Sequence, residues 1–237
     1  MSETPANEAA RRPTRDAGDL FELLATVLLA LAAVSTAWAG FQSAKWGGVQ
    51  ATNFSQAGAA RTESVRFSTL AGQQSSVDVT TFFNWLEAVV DDIDRGDIEA
   101  PTDATTYQPT AQTLSGFTYE RFRDEFRPAV DAWLATNPVI EDGAPATPFQ
   151  MDEYRLAADE ESERLLLAAE DRASDAGDAN QTSDNYVLTA VLFASALFFA
   201  ALSSKLVRAR FKTASLVIAA TVFLGTTIYV LSLPIEI

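Results

Sequence analysis

Three stretches of this chain are long, apolar and almost free of charge. In residues 20–41 the one charge is Glu22, near the entry, and residues 186–203 and 214–231 carry none. At 1.5 Å per residue each covers most or all of a hydrocarbon layer roughly 30 Å thick. No face of any of them is polar, so none reads as the amphipathic helix of a soluble core. The expected fold class is an all-α integral membrane protein with three transmembrane helices and a helical hairpin or bundle between spans one and two.

Composition explains how such spans coexist with a net charge of −15 in 237 residues, since 48% hydrophobic and 21% charged residues must then be segregated. Residues 42–185 hold 26 acidic and 10 basic side chains. This acidity excludes nucleic acid as a partner class, because a phosphate backbone needs a basic footprint. Cysteine and histidine are absent, which removes thiolate chemistry, disulfides and the commonest general base and metal ligand.

Orientation follows from basic residues beside the spans. Arg11, Arg12 and Arg15 precede the first, and Lys205, Arg208, Arg210 and Lys212 fill the second connection without an acid. The expected organisation is a disordered cytoplasmic tail (1–19), a span (20–41), an extracytoplasmic acidic helical domain (42–185), a span (186–203), a basic cytoplasmic turn (204–213), a span (214–231) and a short outer tail (232–237). Trp38, Phe41, Lys45 and Trp46 then mark the outer membrane interface, the aromatics at headgroup level and the lysine snorkelling. Ala37-Trp38-Ala39 before Gly40 also has the form of a signal-peptidase site, and cleavage there would leave two spans. Against cleavage, the apolar run exceeds the usual 7–15-residue signal core.

Ala32, Thr36, Gly40, Ala44 and Gly48 recur at every fourth position of the first span and its extension, a helix-packing face that admits another helix closely. The partner could be another span or another copy. In the outer domain, Gln42 to about Leu70 continues the first helix, with a break expected at Gly72-Gln73-Gln74-Ser75-Ser76. Phe82, Leu86, Val89, Val90 and Ile93 then share a face of a helix that stops at Gly96. A loop from Pro101 to Ser115 leads to a helix bearing Tyr119, Phe122, Phe126, Val130, Trp133 and Leu134, which Pro128 kinks or restarts. From about Met151 a helix with Leu156, Leu165, Leu166 and Leu167 runs to the second span.

The segments Thr36-Ala37-Trp38-Ala39-Gly40-Phe41-Gln42, Lys45-Trp46-Gly47-Gly48-Val49-Gln50, Arg121-Phe122-Arg123, Phe126-Arg127-Pro128-Ala129, Trp133-Leu134-Ala135, Pro145 to Phe149 with Tyr154, and Asn185-Tyr186-Val187-Leu188 leading to Leu197-Phe198-Phe199-Ala200 resemble a family of uncharacterised prokaryotic multi-span membrane proteins. The resemblance implies one architecture for the Trp-rich edge and the Arg-Phe-Arg segment. It implies no activity.

Candidate chemistry is sparse. Lys45, the only lysine of residues 42–185, lies at the membrane edge, where a Ser-Lys catalytic pair is disfavoured against snorkelling. Among so many acids no carboxylate pair stands out for sugar hydrolysis. Asp91, Asp92, Asp94, Asp97, Glu99 and Asp103 crowd a helix C-terminus, where a cation would relieve the conflict with the dipole, but Gly96-Asp97 reverses the Asp-Gly order of a calcium loop. A solvated acidic face is the expectation. Arg121, Arg123 and Arg127 form a patch suited to anions or, given Glu120, Asp124, Glu125 and Asp131 nearby, to salt bridges. Asn53-Phe54-Ser55 and Asn180-Gln181-Thr182 are glycosylation sequons at chance frequency. No catalytic, cofactor or metal site is expected.

The expected role is a non-enzymatic, membrane-anchored interaction or scaffold protein that acts through its outer domain, self-associates, and contacts another membrane or envelope protein. The alternatives are a homo-oligomeric channel, with Thr26, Thr36, Thr189, Thr221, Thr226 and Thr227 as polar lining, and a ligand-sensing subunit that needs a separate signalling partner.

Overall fold

The computed structural model describes residues 17–102 and 107–237. Arg11, Arg12 and Arg15, the expected tail up to residue 16, and Asp103 lie outside the described residues. Among those described there is no strand, and the elements are α1 (Ala17–Arg95), α2 (Leu114–Tyr119), α3 (Arg127–Ala135), a 3-10 turn (Pro148–Gln150), α4 (Ala157–Lys205) and α5 (Ala209–Val230). Three helices are long and apolar enough to cross a membrane: Leu20–Arg95, Ala157–Lys205 and Ala209–Val230.

The chain divides into two compact units, one of residues up to 54 with Ser174–Ile237, the other Ser55–Ala173. The division falls at 54/55 and 173/174, so the ends of the expected outer segment 42–185 pack with the apolar helices. In the first unit α1 buries Ala25, Ala32 and Ala39 at a seven-residue spacing, and Gln42 beyond them. On α4, Ala179, Tyr186, Phe193 and Ala200 form one such track and Thr189, Ala196 and Ser203 another. A seven-residue period keeps one seam facing its neighbour, and alanine on that seam lets helices approach closely. Ala39 meets Tyr186, and Ser43 and Ser183 bond to each other, their hydroxyls 3.1 Å apart and Ser183 also donating to the Ser43 carbonyl at 3.0 Å. On α5 the inward residues are Ser215, Ala219 and Thr226, with Ser215 donating to the Phe199 carbonyl at 2.8 Å.

In the second unit the same spacing places Ala57, Ser64, Ala71, Asp78, Trp85 and Asp92 inside. Ser64 and Ser162 donate to each other's carbonyl at 2.9 and 3.0 Å, a reciprocal clamp that needs two helix backbones side by side. Above it lies an aromatic core of Phe82, Trp85, Tyr107, Tyr119, Phe122, Phe126 and Trp133, with Phe149 stacked on Phe126 at 5.2 Å.

The break expected at Gly72–Ser76 is absent, and α1 runs unbroken to Arg95. Ala71 is buried against Leu156 and Ala158, with Phe67 and Tyr154 packed on the same cluster. Burial there outweighs the roughly 1 kcal/mol that a helical glycine costs. The helix expected from Tyr119 to Leu134 is two, separated by turns, and Pro128 sits in the first turn of α3, where its missing N–H is harmless. Gly96 stops α1 as expected: its φ is +76°, its N–H donates to Ile93 and the Asp97 N–H to Asp92, the bonds of a Schellman cap. Val90, expected on the core face, is 58% exposed, and Leu166 and Leu167 are exposed on α4.

Candidate functional site

Two carboxylates on α1 point inward, because Asp78 and Asp92 occupy the seven-residue track that alanine, serine and tryptophan otherwise fill. Asp78 is fully buried. Its Oδ2 accepts from Arg123 Nη1 at 2.9 Å and from the Tyr154 hydroxyl at 3.2 Å, and Arg123 also bonds Glu125. Burial alone would lower the Arg123 pKa, but the hydrogen bonds and charges of Asp78 and Glu125 hold it above the ordinary value. Burial pushes the Tyr154 phenol up, the Ser75 hydrogen bond opposes this, and the Asp78 carboxylate adds to it. The centre ties α1 to the turn before α3 and to the segment leading into α4.

Asp92 caps α2. Its Oδ2 accepts the Ser115 N–H at 2.7 Å, where the helix has unpaired amides. Burial works against its charge, yet the Ser115 backbone and hydroxyl bonds, the Leu114 amide and the nearby Arg95 hold its carboxyl below the usual range. Asp91 pairs with Arg95. Thus the expected acidic face is divided: Asp92 is buried and capping, while Asp94, Asp97 and Glu99 are exposed. Among the described residues no three acids converge as a metal site.

Beside its core face α1 carries a second apolar stripe, Val79, Phe83, Leu86 and Val90, at helical spacings of four, three and four, of which Leu86 also packs on the aromatic core. Phe83 and Val90 are each 58% exposed, and Leu114 on α2 is 48% exposed. Phe83, Leu86, Val90 and Leu114 line an open groove of about 1020 Å³ between α1 and α2, rimmed by Glu87, Asp91 and Asp94. Arg121 lies over the exposed ring of Phe117, 3.2 Å from its centroid, at the end of α2. α2 is held in place because Gly116 packs on the Thr110 backbone: a Cβ there would sit 1.9 Å from the Thr110 carbonyl oxygen.

The arginine patch is dispersed. Arg123 turns inward to Asp78, Arg121 donates to the Phe117 carbonyl, and Arg127 donates to the carbonyls of Glu120 and Phe122 and lies 3.8 Å from Asp124. Intramolecular pairing therefore takes up the patch. Of the four-spaced stripe, Ala32 is buried and Thr36 half-buried, while Gly40, Ala44 and Gly48 are exposed, and a Cβ at Gly40 or Gly48 would meet nothing within 4 Å. A period of four drifts around a helix whose contact seam has a period of seven over two turns. Trp38 and Phe41 are half-exposed and in contact, 5.8 Å between centroids. Trp46 is partly buried, its indole N–H donating to the Pro234 carbonyl at 3.1 Å. The hydroxyls of Thr26, Thr36, Thr226 and Thr227 donate to carbonyls one turn back on their own helices, and Thr189 to Tyr186.

Neither the groove, nor Asp78, nor the burial of Asp92 was foreseen from the sequence. The signal for the aspartates was present, since Ala57, Ser64, Ala71, Asp78, Trp85 and Asp92 are seven apart. The groove was hidden because Val90 is compatible with either apolar stripe. No family model, curated protein or solved structure matches this chain.

Proposed function

We propose that this chain is a membrane-anchored docking protein without an active site of its own. Its three spans hold residues 42–185 outside the cytoplasm, and the groove beside α2 receives a helix of another membrane or envelope protein. The observation that carries this reading is the second apolar stripe of α1, exposed at Phe83 and Val90 on a helix whose core face is already filled. A contiguous exposed apolar surface with a polar rim is the usual mark of an interaction site, and an i, i+4, i+7 stripe suits a helical partner. Glu87 and Asp94 on the rim favour a partner bearing lysine or arginine beside its apolar stripe.

The test places a photoreactive side chain at Phe83 or Val90 of the full-length protein in its native membrane, with Glu170, exposed on α4, as control. A discrete product from the groove sites, absent at the control and suppressed by an excess of a lysine-leucine amphipathic peptide, supports the reading. Absence of any product, or identical products at all three sites, refutes it.

A further inference from the structure

The C-terminal tail is fastened to α1 and α4 by side chains that bond its backbone. The Gln42 amide is fully buried and makes two bonds to Glu236, Nε2 donating to the carbonyl at 3.0 Å and Oε1 accepting the N–H at 3.0 Å. The indole of Trp46 and the hydroxyl of Tyr186 both donate to the Pro234 carbonyl, at 3.1 and 3.0 Å. These contacts fix Glu236 beside α1, where it closes an open groove of about 420 Å³ lined also by Lys45, Gly48, Thr52 and Asn53. Lys45 and Glu236 thus face one space with opposite charges, and among the described residues neither side chain makes an ion pair.

Given the three-span reading, this groove lies in a particular layer. The apolar run of the first span ends at Phe41, and Lys45 stands about 6 Å further along the helix axis. A headgroup layer of roughly 5–8 Å flanks the hydrocarbon on each side. Trp46 and Tyr186, amphipathic rings with their polar tips on one carbonyl, suit the same depth. A cation and an anion that line one open groove in that layer without an ion pair match a molecule with a phosphate and an ammonium a few bonds apart.

We infer that this groove binds the headgroup of a zwitterionic phospholipid bearing a primary ammonium, of the phosphatidylethanolamine type, with the phosphate at Lys45 and the ammonium at Glu236. Glu236 disfavours an anionic lipid, which would satisfy Lys45 and leave the carboxylate facing like charge. A primary ammonium donates hydrogen bonds to a carboxylate, whereas a choline headgroup has no N–H to give and is best held by aromatic faces, which the groove lacks. Gly48, without a side chain, keeps the floor open.

Native mass spectrometry of the full-length protein in a non-ionic detergent tests the inference, with phosphatidylethanolamine, phosphatidylcholine and phosphatidylglycerol of matched acyl chains. The ethanolamine lipid should be retained about fivefold over the glycerol lipid, the worth of one favourable exposed ion pair. Glu236→Gln keeps the tail's backbone bonds and should bring the two lipids to parity. Lys45→Gln should reduce retention of both, and Gly48→Phe, which fills the groove without altering either charge, should abolish the preference. Equal retention of all three lipids, a preference for the glycerol lipid, or an ethanolamine preference unchanged in the three variants overturns the inference. So does binding of soluble phosphoethanolamine without lipid enrichment, or a Gly48→Cys chain that oxidises to a dimer in membranes, which would seat a second copy there. None of these results bears on the groove beside α2.

Discussion

Replacing Arg123 by methionine should destabilise the Ser55–Ala173 unit by about 3 kcal/mol, the lower end of the cost of breaking a buried ion pair. The lower end applies because Arg123 retains 23% side-chain exposure, whereas Asp78 is wholly buried. Once the guanidinium is gone, the Asp78 carboxylate keeps only the 3.2 Å bond from Tyr154, since its Oδ1 has no partner among the described residues. Most of the cost is the stranded charge rather than a lost attraction, so removing the charge as well should restore stability. The double variant Asp78→Ala/Arg123→Met should therefore be at least about 1.5 kcal/mol more stable than the sum of the single effects predicts. Denaturant unfolding of the full-length protein in detergent measures this, with Trp38 and Trp46 changed to phenylalanine so that Trp85 and Trp133, both in the aromatic core, report. A single-variant loss below about 1 kcal/mol, or strict additivity in the double variant, would show that the pair does not hold this unit together.

Three further outcomes follow from the same structure. Gly116→Ala should cost about 2–3 kcal/mol, because the new methyl collides with the backbone of Thr110 rather than with a side chain that can move, and the same fluorescence unfolding curve reads it. Gly96→Ala, at φ +76° in open space, should cost only about 1 kcal/mol, since the penalty there is left-handed backbone strain without a clash. Asp92→Asn should flatten the acid limb of stability. Folding depresses the Asp92 pKa, so its contribution is complete above the unfolded-state value near 4 and is lost as pH falls through the lower folded-state value. Unfolding midpoints from pH 6 down to pH 2 that decline equally in both proteins would contradict the cap assignment.

Sequence alone determined the helical class and the three apolar helices, because long runs without charge leave a backbone few alternatives and their length is read directly in residues. It also determined the stop at Gly96, where one residue type answers a local backbone demand. The break foreseen at Gly72–Ser76 was a local inference overruled by distant contacts: Ala71 packs with Leu156 and Ala158, and Tyr154 covers the same cluster. Propensity differences near 1 kcal/mol decide an isolated segment, but they yield to the burial of a whole helix face. Only the tertiary structure could send Arg123 to Asp78, 45 residues away, as well as to Glu125 beside it, since local spacing says nothing about which charge finds a buried partner. The same holds for the two apolar stripes of α1. The sequence shows both as hydrophobic, and only the packing of the aromatic core against Phe82 and Trp85 leaves Phe83 and Val90 outside, where a partner can reach them.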